Sequence, residues 1–315
     1  MSIHTVKRSQ CHLAWDNSIP PILRVKSGET INFDCLDASN GQITPDSDHS
    51  AISQLVFSQL DQVNGPIYVE GAQPGDTLQV DVVRVRTAEW GWTACIPGFG
   101  LLTDEFPEAA LKIWRLEGGE AYFDEVTKKG RIPIRPFMGE MGVARGEKGS
   151  FSTIPPWNTG GNIDTRHVGE GATLFLPVEV EGALFSIGDG HAAQGDGGTA
   201  IETPMKVTVR LTVRKDKPYT KTPHFVTPKK SEGEESYYCT TGVDADMREA
   251  TRGAVRNMID FICAEYPEFS RVDAYMLCSV AADLRLHEVV DMPNYVVGMM
   301  MPRSVLNSLG SDSRL

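Results

Sequence analysis

The chain has 315 residues, 41% of them apolar, and a formal net charge of −12. This composition excludes a disordered or collagen-like chain, and the acidic balance without a basic stripe argues against a nucleic-acid partner. The length allows one large domain or two of ordinary size.

The N-terminal segment and the cysteines indicate the compartment. Residues 1–10 lack the apolar run of a signal peptide, and no stretch approaches the 18 apolar residues of a membrane span. The six cysteines are dispersed and form no Cys-x-x-Cys pair, a pattern typical of reduced thiols. We therefore expect a cytoplasmic protein that does not bind a membrane.

Most of the first 215 residues follow the pattern of short β-strands separated by turns. Residues 77–86 alternate and change phase at Val82–Val83, which predicts a β-bulge. Residues 206–214 alternate without interruption, and residues 172–180 form a further candidate strand in which Pro177 marks an edge or a break. Many short strands at this spacing predict a sandwich or barrel rather than βαβ units.

The pattern changes after residue 215. Residues 215–235 are polar and rich in Pro, Lys and Glu, which predicts an exposed loop. Residues 244–265 carry apolar side chains at helical spacing with Asp244 as N-cap, and a second helix over 272–283 leads into a strand near 286–290. We therefore expect a mainly β, sandwich-like domain over residues 1–215, with a mixed α/β part over residues 236–315 packed on it.

The segment 186–202 has the most distinctive chemistry, because it places Asp189, His191 and Asp196 among five glycines. In an extended strand, the i, i+2 spacing puts Asp189 and His191 on one face, and Asp196 can fold back as a third ligand or a base. Imidazole with carboxylates suits zinc or a similar divalent ion. The segment also fits a glycine-rich turn whose aspartates bind backbone N–H groups, so both interpretations stay open.

Two other polar segments offer candidate residues. Asp164 and His167 suit a metal or proton-transfer site, although Asn162, Asp164 and Arg166 equally suit a hydrogen-bonded structural knot. Asp37 follows an apolar strand and could reach a site, whereas residues 46–49 fit a solvated loop.

Glu140 lies between apolar residues and glycine in the segment 136–142. Burial of a carboxyl in such surroundings raises its pKa and suits it to general acid or base catalysis. An exposed glutamate on a turn is the equally plausible alternative.

Several sequence motifs occur together in an order that is specific to one family. They are Asn-Gly-Pro-Ile-Tyr-Val-Glu-Gly-Ala at 64–72, Pro-Gly-Asp at 74–76, Pro-Gly-Phe-Gly-Leu-Leu at 97–102, Arg-Pro-Phe-Met-Gly-Glu-Met-Gly at 135–142, Gly-Gly-Asn-Ile-Asp-Thr-Arg-His at 160–167, Gly-Asp-Gly-His-Ala-Ala-Gln-Gly-Asp-Gly at 188–197 and Asp-Met-Pro-Asn-Tyr-Val-Val at 291–297. On these motifs, from Leu36 to Pro302, the chain resembles the acetamidase/formamidase family.

The resemblance implies hydrolysis of formamide or acetamide to a carboxylate and ammonia. It also implies a β-sandwich-like fold with an appended α/β part, a homo-oligomer (dimer or higher) and a divalent metal near the Gly-Asp-Gly-His segment. By position, Asp189, His191 and Asp196 match the family's metal segment, and Asp37 matches its Leu-Asp-Ala segment. We expect zinc, with calcium as the alternative, and a small neutral amide as substrate.

The catalytic roles follow as hypotheses. Glu140 or an acidic residue of the glycine-rich loop accepts the proton of the attacking water, His167 protonates the departing ammonia, and Asp164 belongs to the same site. The family usually has an acidic residue after the Gly-Asp-Gly, which is missing here because Gly197 runs directly into Gly198; Glu202 or Glu140 could replace it. The alternative is a family member that acts on a larger or cyclic amide, or that only binds a metal or small ligand.

Overall fold

The computed structural model describes residues 3–195, 198–229 and 233–310. Its first ten strands are β1 (Ile3–Val6), β2 (Cys11–His12), β3 (Leu23–Lys26), β4 (Glu29–Cys35), β5 (Val63–Glu70), β6 (Thr77–Thr87), β7 (Trp90–Cys95), β8 (Ala110–Arg115), β9 (Glu120–Asp124) and β10 (Lys129–Pro133). The next ten are β11 (Phe137–Gly142), β12 (Gly160–Asn162), β13 (Thr173–Pro177), β14 (Phe185–Gly195), β15 (Gly198–Glu202), β16 (Met205–Arg214), β17 (His224–Val226), β18 (Tyr237–Asp244), β19 (Asp283–Glu288) and β20 (Tyr295–Pro302). The helices are α1 (Met247–Glu265), α2 (Arg271–Ala281) and α3 (Arg303–Ser308).

Most of the strands belong to two nine-stranded sheets. The first has the order β1-β4-β16-β6-β13-β17-β18-β20-β19. The second has the order β12-β11-β14-β15-β7-β8, with β5 joined to β14 and with β2 and β3 joined to β5. The two remaining strands, β9 and β10, form a small hairpin sheet.

The main core lies between the two large sheets. Inward side chains of β4, β6 and β16 pack against those of β5, β11 and β14 in one apolar cluster. Phe33 of the first sheet meets Phe185 of the second edge-to-face, with ring centroids 6.2 Å apart. This packing of sheet on sheet confirms the predicted mainly β, sandwich-like fold.

The strand predictions were accurate where alternation is regular. Val207, Val209 and Leu211 of β16 are buried. The register between β6 and β16 shifts where Thr208 opposes Arg84 and Val209 opposes Val82, so the predicted bulge lies at Val83. Strand β13 ends at Pro177, which confirms the break there.

The helices cover part of the first sheet, where α1 packs on β18 and β20 in a second apolar cluster. Tyr238 and Phe261 stack with ring centroids 3.8 Å apart. The prediction of Asp244 as N-cap was wrong. Asp244 ends β18, and Asp246 caps α1 by accepting from the N–H groups of Arg248 and Glu249.

The C-terminal boundaries also differ from the prediction. Helix α2 ends at Ala281, and β19 begins at Asp283, three residues before the expected strand near 286–290. The strand begins earlier than predicted because β19 pairs with β20 from Asp283 onward. Local periodicity does not encode this pairing.

The segment 215–235 is less exposed than its polar composition predicts. It includes β17, which pairs with β13 and β18 and so continues the first sheet into the C-terminal part. Lys217 is 1% exposed because its ammonium group contacts the Tyr219 hydroxyl at 2.9 Å and Glu265 at 3.4 Å. The boundaries of 1–215 and 236–315 stay a prediction, although a single sheet runs across them.

None of the helices in the described ranges combines the length and the apolar character required to cross a bilayer.

Candidate functional site

One row of side chains crosses the second sheet and defines the site. Phe137 of β11 pairs with His191 of β14, His191 pairs with Glu202 of β15, and Glu202 pairs with Trp92 of β7. Directly opposed residues on antiparallel strands share one face. His191 therefore lies between the Phe137 ring, edge-on at 5.0 Å, and the Glu202 carboxylate, whose Oε2 is 3.2 Å from His191 Nε2.

Two aspartates join this row from strained backbone positions. Asp189 has φ = 52° and Asp164 has φ = 48°, in the left-handed region that aspartate tolerates better than most residues. Such conformations cost on the order of 1 kcal/mol or more and cluster at functional sites. Asp189 Oδ2 lies 2.8 Å from His191 Nε2, and the Asp164 N–H donates to the Gly139 carbonyl at 3.1 Å.

Asp164, Asp189 and His191 form a buried cluster with candidate ligand atoms within 4.8 Å of one another. One side-chain atom of each residue is buried and has no hydrogen-bond partner in the described part of the chain: Asp164 Oδ1, Asp189 Oδ1 and His191 Nδ1. Leaving such groups unsatisfied costs about 1–3 kcal/mol each. Unpaired ligand atoms on all three residues of one buried cluster fit a site for a cation.

Gly139 leaves open the space that the cluster surrounds. A Cβ atom built on Gly139 would overlap Asp189 Oδ2 and Asp164 Oδ1 and would lie 2.9 Å from His191 Cε1. The backbone at Gly139 does not require glycine, because its φ is not positive. The missing side chain therefore provides room among the three candidate ligands, and these residues fit a metal ion.

The ionisation of the cluster reflects burial and mutual charge. Burial alone would lower the pKa of His191, but Asp189, Glu202 and Asp164 together raise it well above its usual value. Burial raises the pKa of Asp164 to about 8 against the opposing effect of His191. Burial also favours a higher pKa for Asp189, yet His191 holds it below the usual range. A positive charge at this point stabilises the carboxylates.

The donor set discriminates among metals. One imidazole and two carboxylates match the nitrogen and oxygen ligands of zinc, whereas calcium takes six to eight oxygen ligands. The cluster therefore fits zinc better than calcium, while the identity of the metal stays a prediction.

A cavity of about 100 Å³ opens beside the cluster. Its polar wall includes Asp61, Asn162, Asp164, Asp189, His191, Glu202 and Asp291. Its apolar wall includes Leu60, Trp92, Ile96, Phe99 and Val290. The volume is well below the roughly 300–1,000 Å³ of sites for drug-sized ligands, so this cavity suits a molecule of only a few heavy atoms.

Glu140, the predicted base, lies in β11 directly after Gly139. Its side chain is completely buried, and neither carboxylate oxygen has a hydrogen-bond partner among the described residues. Burial raises the pKa of Glu140 well above its usual value, and the nearby Asp61 and Asp189 raise it further. Glu140 is not among the residues that line the cavity.

The structure does not bring His167, the predicted acid, to this cavity. His167 stacks on Phe225 with ring centroids 6.3 Å apart and lines a separate cavity of about 490 Å³ together with Arg135 and Arg166. Only two residues separate it from Asp164, but the chain turns at this point, since the Val168 N–H donates to the Thr165 carbonyl at 3.1 Å.

The other two predicted ligands are outside the cluster. Asp37 is buried, and its Oδ1 accepts from Trp92 Nε1 at 2.9 Å and from the Ser39 N–H at 3.0 Å. Asp196 lies outside the described residues. Their roles as ligands therefore stay predictions.

Sequence reasoning missed the roles of Asp61, Trp92 and Asp291. Asp61 has φ = 53° and, like Asp291, has a pKa that burial and neighbouring carboxylates raise. Asp291 Oδ2 accepts from Asn162 Nδ2 at 3.0 Å, which ties the C-terminal part to the site. Only Asp291 carried a signal, since it begins one of the motifs of the family resemblance, Asp-Met-Pro-Asn-Tyr-Val-Val at 291–297.

Comparison with known proteins identifies relatives of the whole chain. The family model described as "Acetamidase/Formamidase family" matches residues 2–150 and 143–308. A formamidase of Methylophilus methylotrophus is 25% identical over 94% of this chain and 89% of its own length. An acetamidase of Mycolicibacterium smegmatis is 28% identical over 59% of this chain, and the match spans only 60% of that protein.

Solved structures agree with these matches. The crystal structure of an acetamidase from Bacillus halodurans superposes with a TM-score of 0.89 at 28% identity. The superposition covers 98% of this chain and 100% of the other. The similarity therefore includes both the sandwich and the helices packed on it.

Proposed function

Since the family model matches nearly every residue, the chain belongs to the acetamidase/formamidase family, and from this premise we propose that it hydrolyses a short aliphatic amide, formamide or acetamide, to carboxylate and ammonia. The observation that carries the proposal is the buried Asp164–Asp189–His191 cluster on the wall of a cavity of about 100 Å³. The small volume supports a substrate of few heavy atoms, and the cluster supports hydrolytic chemistry.

The proposed chemistry addresses the low reactivity of an amide. A divalent ion held by Asp164, Asp189 and His191 would polarise the carbonyl and lower the pKa of a bound water to about 7. We propose that Glu202 accepts the proton of the attacking water and returns it to the departing nitrogen. Its carboxylate lines the cavity and lies 3.2 Å from His191 Nε2.

In this proposal Glu202 carries out the proton transfers that the sequence analysis assigned to Glu140 and His167. The missing acidic residue after Gly197 does not leave the site without a carboxylate, because Glu202 and Asp61 both line the cavity. No observation in the described residues favours the alternative of a protein that only binds a metal or a small ligand.

The decisive experiment is an assay of ammonia release from formamide and acetamide. We expect turnover that a chelator abolishes and that zinc restores better than calcium, because of the imidazole ligand. Metal content measured on the same sample controls for incomplete loading. A metal-loaded protein that releases no ammonia from either amide would contradict the proposal.

We also propose that the protein is a cytoplasmic homo-oligomer. The six cysteines are free, as a reducing compartment favours. Exposed apolar side chains occur together on α2 and on the edge strand β19, where Val272, Tyr275, Met276, Val280, Leu284 and Leu286 are 45–83% exposed. Such a concentration of apolar residues at the surface typically marks an interaction site.

Val280→Lys is expected to dissociate the proposed oligomer and so to lower the molar mass of the particle in solution. Val280 is 83% exposed, so the substitution introduces a charge into the proposed contact without disturbing the core. Val126→Lys is the matched control, because Val126 is 92% exposed beside the β9–β10 hairpin. Light scattering after size-exclusion chromatography measures both variants. An oligomer that tolerates Val280→Lys would place the contact elsewhere.

A further inference from the structure

The apolar end of the cavity is bounded by an indole ring. Trp92 is 5% exposed, lines the cavity and pairs directly with Glu202 on the neighbouring strand. Adjacent strands lie about 4.8 Å apart, so the row from His191 through Glu202 to Trp92 runs from the cluster to the ring. If the reactive end of a bound amide faces the cluster, its acyl chain can extend along this row toward Trp92.

A buried carboxylate holds the indole in place. Trp92 Nε1 donates to Asp37 Oδ1 at 2.9 Å, and the N–H and hydroxyl of Ser39 donate to the same oxygen. The Ser39 hydroxyl in turn accepts from the Ile43 N–H at 3.0 Å. Asp37 is 1% exposed. These hydrogen bonds hold the indole in one orientation at the edge of the cavity.

Building on the proposed amidase function, we propose that Trp92 sets the upper limit on acyl-chain length and that Asp37 is the positioning residue that fixes it. The site then prefers formamide and acetamide to propionamide and butyramide. In this proposal Asp37 acts through the indole rather than as the metal ligand that the family resemblance implies. It is not among the residues of the Asp164–Asp189–His191 cluster.

Trp92→Leu tests the size limit, with Trp90→Leu as matched control. Both tryptophans lie in β7, but only Trp92 lines the cavity. One methylene in an apolar pocket changes selectivity about 10–200-fold. We expect the ratio of kcat/KM for butyramide to that for acetamide to rise at least about 10-fold in Trp92→Leu, mainly through KM, with metal content unchanged. An equal ratio in the two variants would overturn the proposal.

Asp37→Asn separates a positioning role from ligation. Asparagine keeps an acceptor for Trp92 Nε1, so the variant is expected to keep the wild-type order of substrates and the wild-type metal content. Asp37→Ala removes the acceptor and is expected to relax selectivity as Trp92→Leu does. Loss of metal from Asp37→Asn would show that Asp37 is a ligand and overturn its assignment.

The size limit can also be measured without turnover. Acetate and butyrate have nearly the shape of the corresponding amides, and their binding can be titrated by calorimetry. If the wild-type protein hydrolyses no amide, the proposed function fails, yet Trp92→Leu should still bind butyrate at least about 10-fold more tightly than the wild type does. Unchanged butyrate binding would then overturn the size limit itself.

Discussion

Gly139→Ala is expected to remove both the bound metal and at least about 99% of kcat/KM while the fold persists. The added Cβ would overlap the carboxylate oxygens of Asp189 and Asp164. These atoms are the ends of side chains, so they can move away without unfolding the sheet. Misplacing catalytic groups by about 1 Å costs on the order of 100-fold in rate, and displaced ligands no longer converge on an ion.

Gly195→Ala is the matched control for this substitution. Gly195 lies in β14, the strand that carries Asp189 and His191, and a Cβ built there meets no atom of the described residues within 4 Å. The control should therefore keep metal, activity and melting temperature. Zinc content by mass spectrometry, ammonia release and thermal unfolding measure both variants. A Gly139→Ala protein that retains full metal content would refute the placement of the ion.

The fold was predictable where the alternation of apolar and polar side chains shows which face of a strand is buried. The bulge at Val83 and the buried face of β16 were visible because each residue there faces either core or solvent. Helix α1 was visible from its apolar period, but its cap was assigned two residues early. Both Asp244 and Asp246 can cap a helix, and only the pairing of β18 with β20 through Asp244 decides between them.

The site was predictable only in part. The i, i+2 spacing predicted that Asp189 and His191 lie together, as they do in the buried cluster, although the assumed extended backbone is interrupted by φ = 52° at Asp189. Glu202 and Trp92 join His191 through strand register, which no local pattern specifies. Asp291 reaches the site through Asn162, 129 residues away. Contacts over such separations depend on the tertiary fold, so the sequence alone could not reveal them.

Glu202→Gln is expected to lower kcat by about 100- to 10,000-fold, the usual contribution of a positioned general base. Burial raises the pKa of Glu202 and Asp189 adds to this rise, while His191 opposes it. Glu202 differs from the buried Glu140 because it lines the cavity and because His191 favours its charged form. Glutamine keeps the shape of the side chain but cannot accept the proton, so KM should change little.

Glu140→Gln distinguishes this proposal from the sequence-based assignment of the base. Burial and the neighbouring carboxylates favour the protonated form of Glu140, which is nearly isosteric with glutamine, so this variant should keep its fold and lose far less activity than Glu202→Gln. Steady-state kinetics on acetamide, with metal content measured in parallel, gives the comparison. If Glu140→Gln is the inactive variant and Glu202→Gln the active one, Glu140 is the base. A completely buried carboxyl must then reach the substrate through a rearrangement of β11.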